Sequence, residues 1–98
     1  MAHPAVAEKP KRRVLIVEDE RAQRDALVQY LSRHGHHVVG VSTGEAALER
    51  LAVESFGLLV TDLRLPGVDG LTVVRRAREL DEEMGVLLTT AFASVESA

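Results

Sequence analysis

The feature that most constrains this chain is a strict alternation. Short unbroken apolar runs are separated by longer segments whose apolar residues recur at helical spacing. Val14-Leu15-Ile16-Val17, directly after Arg13, is the first run. Runs this rich in β-branched residues suit strands buried on both faces, as in a parallel sheet. His37 to Val41, Gly57 to Thr61 and Gly85 to Thr90 are the second, third and fourth. Between them, Ala22, Ala26, Leu27, Tyr30 and Leu31 form one apolar helical stripe, and Ala46, Ala47, Leu48, Leu51 and Ala52 form another. A third helix has Leu71, Val74 and Ala77 facing inward. The order strand, helix, strand, helix, strand, helix, strand predicts an α/β domain with right-handed crossovers and helices on both sheet faces.

The element ends carry their own signals. Gly35 closes the first helix, with Arg33 and His34 in its last turn, where cations favour the dipole. Ser42-Thr43-Gly44-Glu45 has capping-box spacing, with Ser42 as the cap. Pro66-Gly67-Val68-Asp69-Gly70 is turn chemistry, and Asp69 is placed to cap the third helix. Ser94 is placed to cap the start of one more.

Composition bounds the function. A chain of 98 residues holds one small domain. A net charge of -3 and 3% aromatic residues argue against direct nucleic-acid binding. Cysteine is absent, which excludes disulfides, zinc-thiolate sites and thiol catalysis and fits a cytoplasmic setting. No apolar run is long enough to span a bilayer. Residues 1–12 read as a flexible leader ending in the basic stretch Lys9-Pro10-Lys11-Arg12.

In open α/β sheets, ligands bind beyond the carboxyl ends of the strands. Glu18, Asp19 and Glu20 follow the first strand, Asp62 follows the third, and Thr90 and Ala91 end the fourth. Carboxylates brought this close disfavour one another's ionisation, and a cation would relieve them. Oxygen donors without His or Cys suit a hard ion, and a few carboxylates completed by water suit Mg2+. Taken singly, each acid also fits a helix cap or a solvated loop residue. His34, His36 and His37 sit at a helix-to-strand turn with no nearby acid and read as solvated loop residues, and Arg75, Arg76 and Arg78 as the outer face of a helix.

These segments together resemble the receiver domains of two-component response regulators. Val14-Leu15-Ile16-Val17-Glu18-Asp19-Glu20 is similar to that family's first strand and acidic pair. Asp62-Leu63-Arg64-Leu65-Pro66-Gly67-Val68-Asp69-Gly70 resembles its phosphoacceptor segment, and Val86-Leu87-Leu88-Thr89-Thr90-Ala91 its fourth strand. The resemblance runs from Arg13 to Ala98 and is greatest to receivers of the NtrC-like class. It implies a flavodoxin-like (CheY-like) three-layer sandwich of strand order 2-1-3-4. It also implies a signalling domain rather than an enzyme, phosphorylated on Asp62 by a sensor histidine kinase or a phosphotransfer protein. Mg2+ would be held by Glu18, Asp19, Asp62 and the backbone carbonyl of Arg64, with Glu18 acting through a water. Thr90 would donate a hydrogen bond to the phosphoryl group, and Ala91 would leave room for it.

Members of that family continue through a fifth strand, bearing an aromatic switch residue and ending in a lysine that pairs with the phosphoryl group, and a fifth helix. In these 98 residues the only lysines are Lys9 and Lys11, so residues 13–98 read as an incomplete receiver. The expectation is a fourth strand with an open edge, prone to pair with a second copy. Three other functions compete. A degenerate receiver would act only as a protein-interaction module. A haloacid-dehalogenase-like phosphatase also uses a strand-end aspartate, but needs a second acid where Arg64 stands. A nucleotide-binding module needs a Gly-rich loop where Glu18-Asp19-Glu20 stands.

Overall fold

The computed structural model of the chain describes residues 12–89. Residues 1–11 of the leader, Thr90, Ala91 and the helix start at Ser94 lie outside these residues. The elements are β1 (Arg13–Val17), α1 (Arg21–Arg33), β2 (His37–Val41), α2 (Gly44–Val53), β3 (Leu58–Thr61), α3 (Gly70–Leu80) and β4 (Gly85–Leu88). All neighbouring strands pair in parallel, in the order β2-β1-β3-β4. The expected alternation is therefore realised.

The sheet separates two apolar layers. On one face Val14, Ile16 and Val60 are buried, with Leu27, Val28 and Leu31 of α1 packed over them. On the other, Leu15, Val17 and Leu59 meet Ala47 and Leu51 of α2, Val73 and Ala77 of α3, and Phe56, Leu65 and Met84 from the connections. This division follows from strand order. The chain steps from β1 to β2 in one direction and then crosses back over β1 to β3, so right-handed connections put α1 and α2 on opposite faces.

The apolar faces of two helices differ from the sequence expectation. In α1 no residue is fully buried, and the face toward the sheet is Leu27, Val28 and Leu31. Tyr30 is 60% exposed and its ring lies against His34 instead. At 100° per residue, Leu27, Val28 and Leu31 share a sector that leaves Tyr30 on its flank and Ala22 and Ala26 on the far side of the helix. In α3 the inward residues are Val73 and Ala77, with Val74 half-buried, while Leu71 is exposed. Asp69 caps α3 as expected: its Oδ1 accepts from Thr72 N and Thr72 Oγ1, both at 2.9 Å.

At α2 the cap is Thr43, whose Oγ1 accepts from Ala46 N at 3.0 Å, rather than Ser42. Glu45 is thereby too early in the helix to close a capping box. It reaches across to Val68 N instead. Gly35 follows α1 at φ 90°, its N–H donating to Ser32 O. At the amino-terminal edge of the sheet, Glu54 is gripped by Arg50 and Arg13, which hold its carboxyl below the usual range, the Arg50 bond contributing most. No helix among the described residues is long and apolar enough to cross a membrane.

Leu59 is fully buried in β3 beneath α2 and α3. Leu59→Ala is expected to cost about 3 kcal/mol by lost transfer energy and cavity formation. Urea unfolding followed by far-UV circular dichroism would show a midpoint shifted down with the slope unchanged.

Candidate functional site

The carboxyl edge of the sheet is built by extending the strand pairings one residue further. Val17 pairs with both Val41 and Thr61, and Thr61 with Leu88. Past these pairs Glu18 N donates to Val41 O at 3.1 Å, Asp62 N to Val17 O at 3.4 Å and Thr89 N to Thr61 O at 3.1 Å. The first residues beyond β1 and β3 are thus neighbours, at the step where the helix connections change face. β4 ends at Leu88, earlier than the expected Thr90.

Glu18 is only 3% exposed. Its Oε2 accepts from Glu20 N at 3.0 Å, and its carbonyl accepts from Arg24 Nη1 at 2.9 Å. Burial raises the Glu18 carboxyl above its ordinary value; the Glu20 amide opposes this, while the side chain and charge of Asp19 and the charge of Asp62 add to it. The fold therefore brings Glu18, Asp19 and Asp62 within electrostatic reach of one another. Asp62 is half-buried, and its Oδ1 accepts from Arg64 N at 2.9 Å. Arg64 itself is exposed.

A buried acid beside two others, satisfied by a backbone amide, is a donor set that fits a hard divalent cation. Among the described residues no three His, Cys, Asp or Glu side chains form a ready-made metal cage. The Mg2+ set expected from the sequence does not require one, because Mg2+ takes one or two carboxylates and keeps several waters. His34, His36 and His37 lie at the other end of the sheet, where His36 Nδ1 accepts from Arg12 N and His34 Nδ1 bonds to Tyr30 O.

Sequence patterns missed the residues that hold this edge in place. Arg24 ties the turn after β1 through the Glu18 carbonyl. The segment from Asp62 to Asp69 lies against the first residues of both α2 and α3. A Cβ on Gly44 would stand 2.3 Å from Val68 O, and one on Gly70 would stand 2.1 Å from Asp62 O. A glycine needed for close approach looks the same in sequence as one needed for a turn, so no pattern separates them.

Comparison with known proteins agrees with this geometry. Residues 14–98 match the family model described as response regulator receiver domain. The response regulator receiver protein CpdR of Brucella abortus is 40% identical over 84 residues, covering 86% of this chain and 70% of that protein. The response regulator protein FleR of Pseudomonas aeruginosa is 43% identical over 86 residues, which are 88% of this chain but 18% of FleR. The chain thus spans less than a fifth of that longer relative. Among solved structures, the response regulator TrrA of Thermotoga maritima in complex with Mg2+-BeF superposes with a TM-score of 0.76 at 29% identity, over 88% of this chain and 75% of that one. The complex of TrrA with the histidine kinase ThkA gives 0.74 at 30% identity, over 83% of this chain and 70% of the other.

The raised Glu18 carboxyl has a measurable consequence. The folded chain binds this proton more tightly than the unfolded chain, so the group's contribution to stability is complete below the ordinary value of 4.5 and is lost as pH rises through the raised one. Glu18→Gln stays neutral and can still accept from Glu20 N. In chelator-containing buffer it is expected to gain stability relative to the parent as pH rises through that window, and to run parallel to it at lower pH. Urea midpoints over a pH series would read the difference.

Proposed function

This chain belongs to the family of response regulator receiver domains, and from that premise we propose that Asp62 accepts a phosphoryl group from the phosphohistidine of a sensor histidine kinase or phosphotransfer protein. The observation that carries the reading is the placement of Asp62 directly beyond the Val17–Thr61 pair, across from Glu18 and Asp19. An Asp62 carboxylate oxygen attacks phosphorus in line. The new O–P bond forms as the P–N bond of the phosphohistidine breaks, and the released imidazole nitrogen takes a proton from solvent. Asp19, Asp62 and the Arg64 carbonyl, with Glu18 through a water, would hold a Mg2+ that neutralises charge on the transferring oxygens. The chain's own contribution is positioning: the Arg64 amide orients Asp62, and the Glu20 amide holds Glu18. The roles of Thr90 as phosphoryl hydrogen-bond donor and of Ala91 as the space beside it rest on their motif. The TrrA complexes with Mg2+-BeF and with ThkA support the choice of ion and partner by analogy. The cysteine-free composition is consistent with a cytoplasmic site of action.

A second reading concerns self-association. β4 pairs with β3 on one side, and its Leu87 and Leu88 are exposed. Such a strand supports pairing with a second copy through its outer edge. Sedimentation analysis of the parent and Leu87→Lys would test this, since only the parent should dimerise.

The phosphoacceptor reading is tested by incubating the chain with acetyl phosphate and Mg2+, followed by mass spectrometry. One phosphoryl group on Asp62 is expected, and none on Asp62→Asn. Asp19→Asn should raise the Mg2+ requirement roughly tenfold or more. An unmodified parent that behaves like Asp62→Asn would point instead to an interaction module without phosphoryl chemistry.

A further inference from the structure

We propose that Gly70 is a positioning residue for the phosphoacceptor: lacking a side chain, it lets the first turn of α3 rest on the Asp62–Leu63 backbone and so sets the direction of the Asp62 carboxylate. The inference rests on the reading of Asp62 as acceptor and names a determinant of its reactivity. A Cβ on Gly70 would lie 2.1 Å from Asp62 O and 2.7 Å from Leu63 Cα. Both are backbone atoms, which cannot swing aside as the end of a flexible side chain can. Gly70 N donates to Leu63 O at 3.0 Å, so the approach is also a hydrogen-bonded contact. The Asp69 cap holds the helix start in place. One residue beyond Leu63, Arg64 N donates back to Asp62 Oδ1 at 2.9 Å. An unbroken series of contacts therefore runs from the start of α3 through the Asp62–Leu63 peptide to the reacting carboxylate.

Gly44 provides an internal comparison. It too is the first residue of its helix, it is buried, and its Cβ would stand 2.3 Å from a backbone oxygen of the same loop. That oxygen belongs to Val68, at the far end of the loop from Asp62. If the two glycines serve packing alone, alanine at either should disturb the chain in the same way. If Gly70 positions the acceptor, only alanine at Gly70 should change its chemistry. Displacing a reacting group by about 1 Å can cost about a hundredfold in rate.

The experiment compares the parent, Gly70→Ala and Gly44→Ala in the full chain, at a temperature where circular dichroism shows all three folded. The first readout is the rate of Asp62 phosphorylation by acetyl phosphate and Mg2+. Gly70→Ala is expected to be slower by about ten- to a hundredfold, and Gly44→Ala to stay near the parent. The second readout needs neither phosphoryl donor nor metal. The solvent-exchange rate of the Arg64 amide, read by NMR at fixed pH, reports its hydrogen bond to Asp62 Oδ1 directly. Its protection should fall in Gly70→Ala and persist in Gly44→Ala. Equal behaviour of the two variants in rate and in the Arg64 signal overturns the proposal. An unphosphorylated parent would defeat the phosphoacceptor reading, and the Arg64 signal would still decide whether Gly70 positions Asp62. Should Gly70→Ala fail to fold, Asp69→Ala and Thr43→Ala loosen the same two helix starts without steric overlap. The Arg64 signal is then expected to weaken only in Asp69→Ala, and the same weakening in both would overturn the proposal.

Discussion

Everything in this structure depends on β1 being paired on both sides. Val14 to Val17 are almost completely buried, alternate residues feed the two apolar layers, and β2 and β3 take up the backbone groups along both edges. A strand in this position admits no slip in register, because moving it by one residue would exchange the side chains of the two layers. Since β1 and β3 are neighbours and end together, whatever follows them in sequence must share one edge of the sheet. The acids after Val17 and the acid after Thr61 therefore meet as a consequence of core packing.

That arrangement forces an abrupt change of environment. Four buried aliphatic residues lead directly into Glu18, a carboxyl almost as buried as they are. Its desolvation is countered by one backbone amide, while the neighbouring acids add to the cost of its charge. The groups that would suit a cation are therefore the ones that burden the chain that carries them. Outside this edge the polar groups are quietly satisfied. The Glu54 cluster at the other end pairs opposite charges, and no buried side-chain nitrogen or oxygen lacks a partner among the described residues.

The architecture was legible because its signals are local. Apolar runs marked the strands to within two residues, and Asp69 declared itself as a cap by lying one residue before a helical pattern. Ser42 and Thr43 were harder, since adjacent hydroxyl residues offer equivalent caps and the Glu45 spacing favoured the wrong one. Tyr30 and Leu71 read as inward because they are apolar, although the arc that meets the sheet is narrower than the apolar arc of their helices. Glu18, Asp19 and Asp62 could be found because strand ends are predictable places for chemistry. Arg24, Gly44 and Gly70 could not, because their work is done against backbone atoms of other elements and loops, at no fixed sequence spacing. Those contacts exist only after the chain has folded.

The slight burial of α1 bears on how the site fluctuates. This helix has no fully buried residue and rests on the sheet through half-buried Leu27, Val28 and Leu31, so its local opening requires far less exposure of apolar surface than separation of the central strands. Its amides should exchange with solvent early, those of β1 and β3 late. Because Arg24 of α1 grips the Glu18 carbonyl, each opening of the helix removes one of the bonds that hold the turn carrying Glu18 and Asp19. The segment beginning at Asp62 is held between two helix starts and a buried Leu65. The two sides of this sheet edge are thus anchored unequally, the acids after β1 partly through a lightly buried helix and Asp62 through the body of the fold.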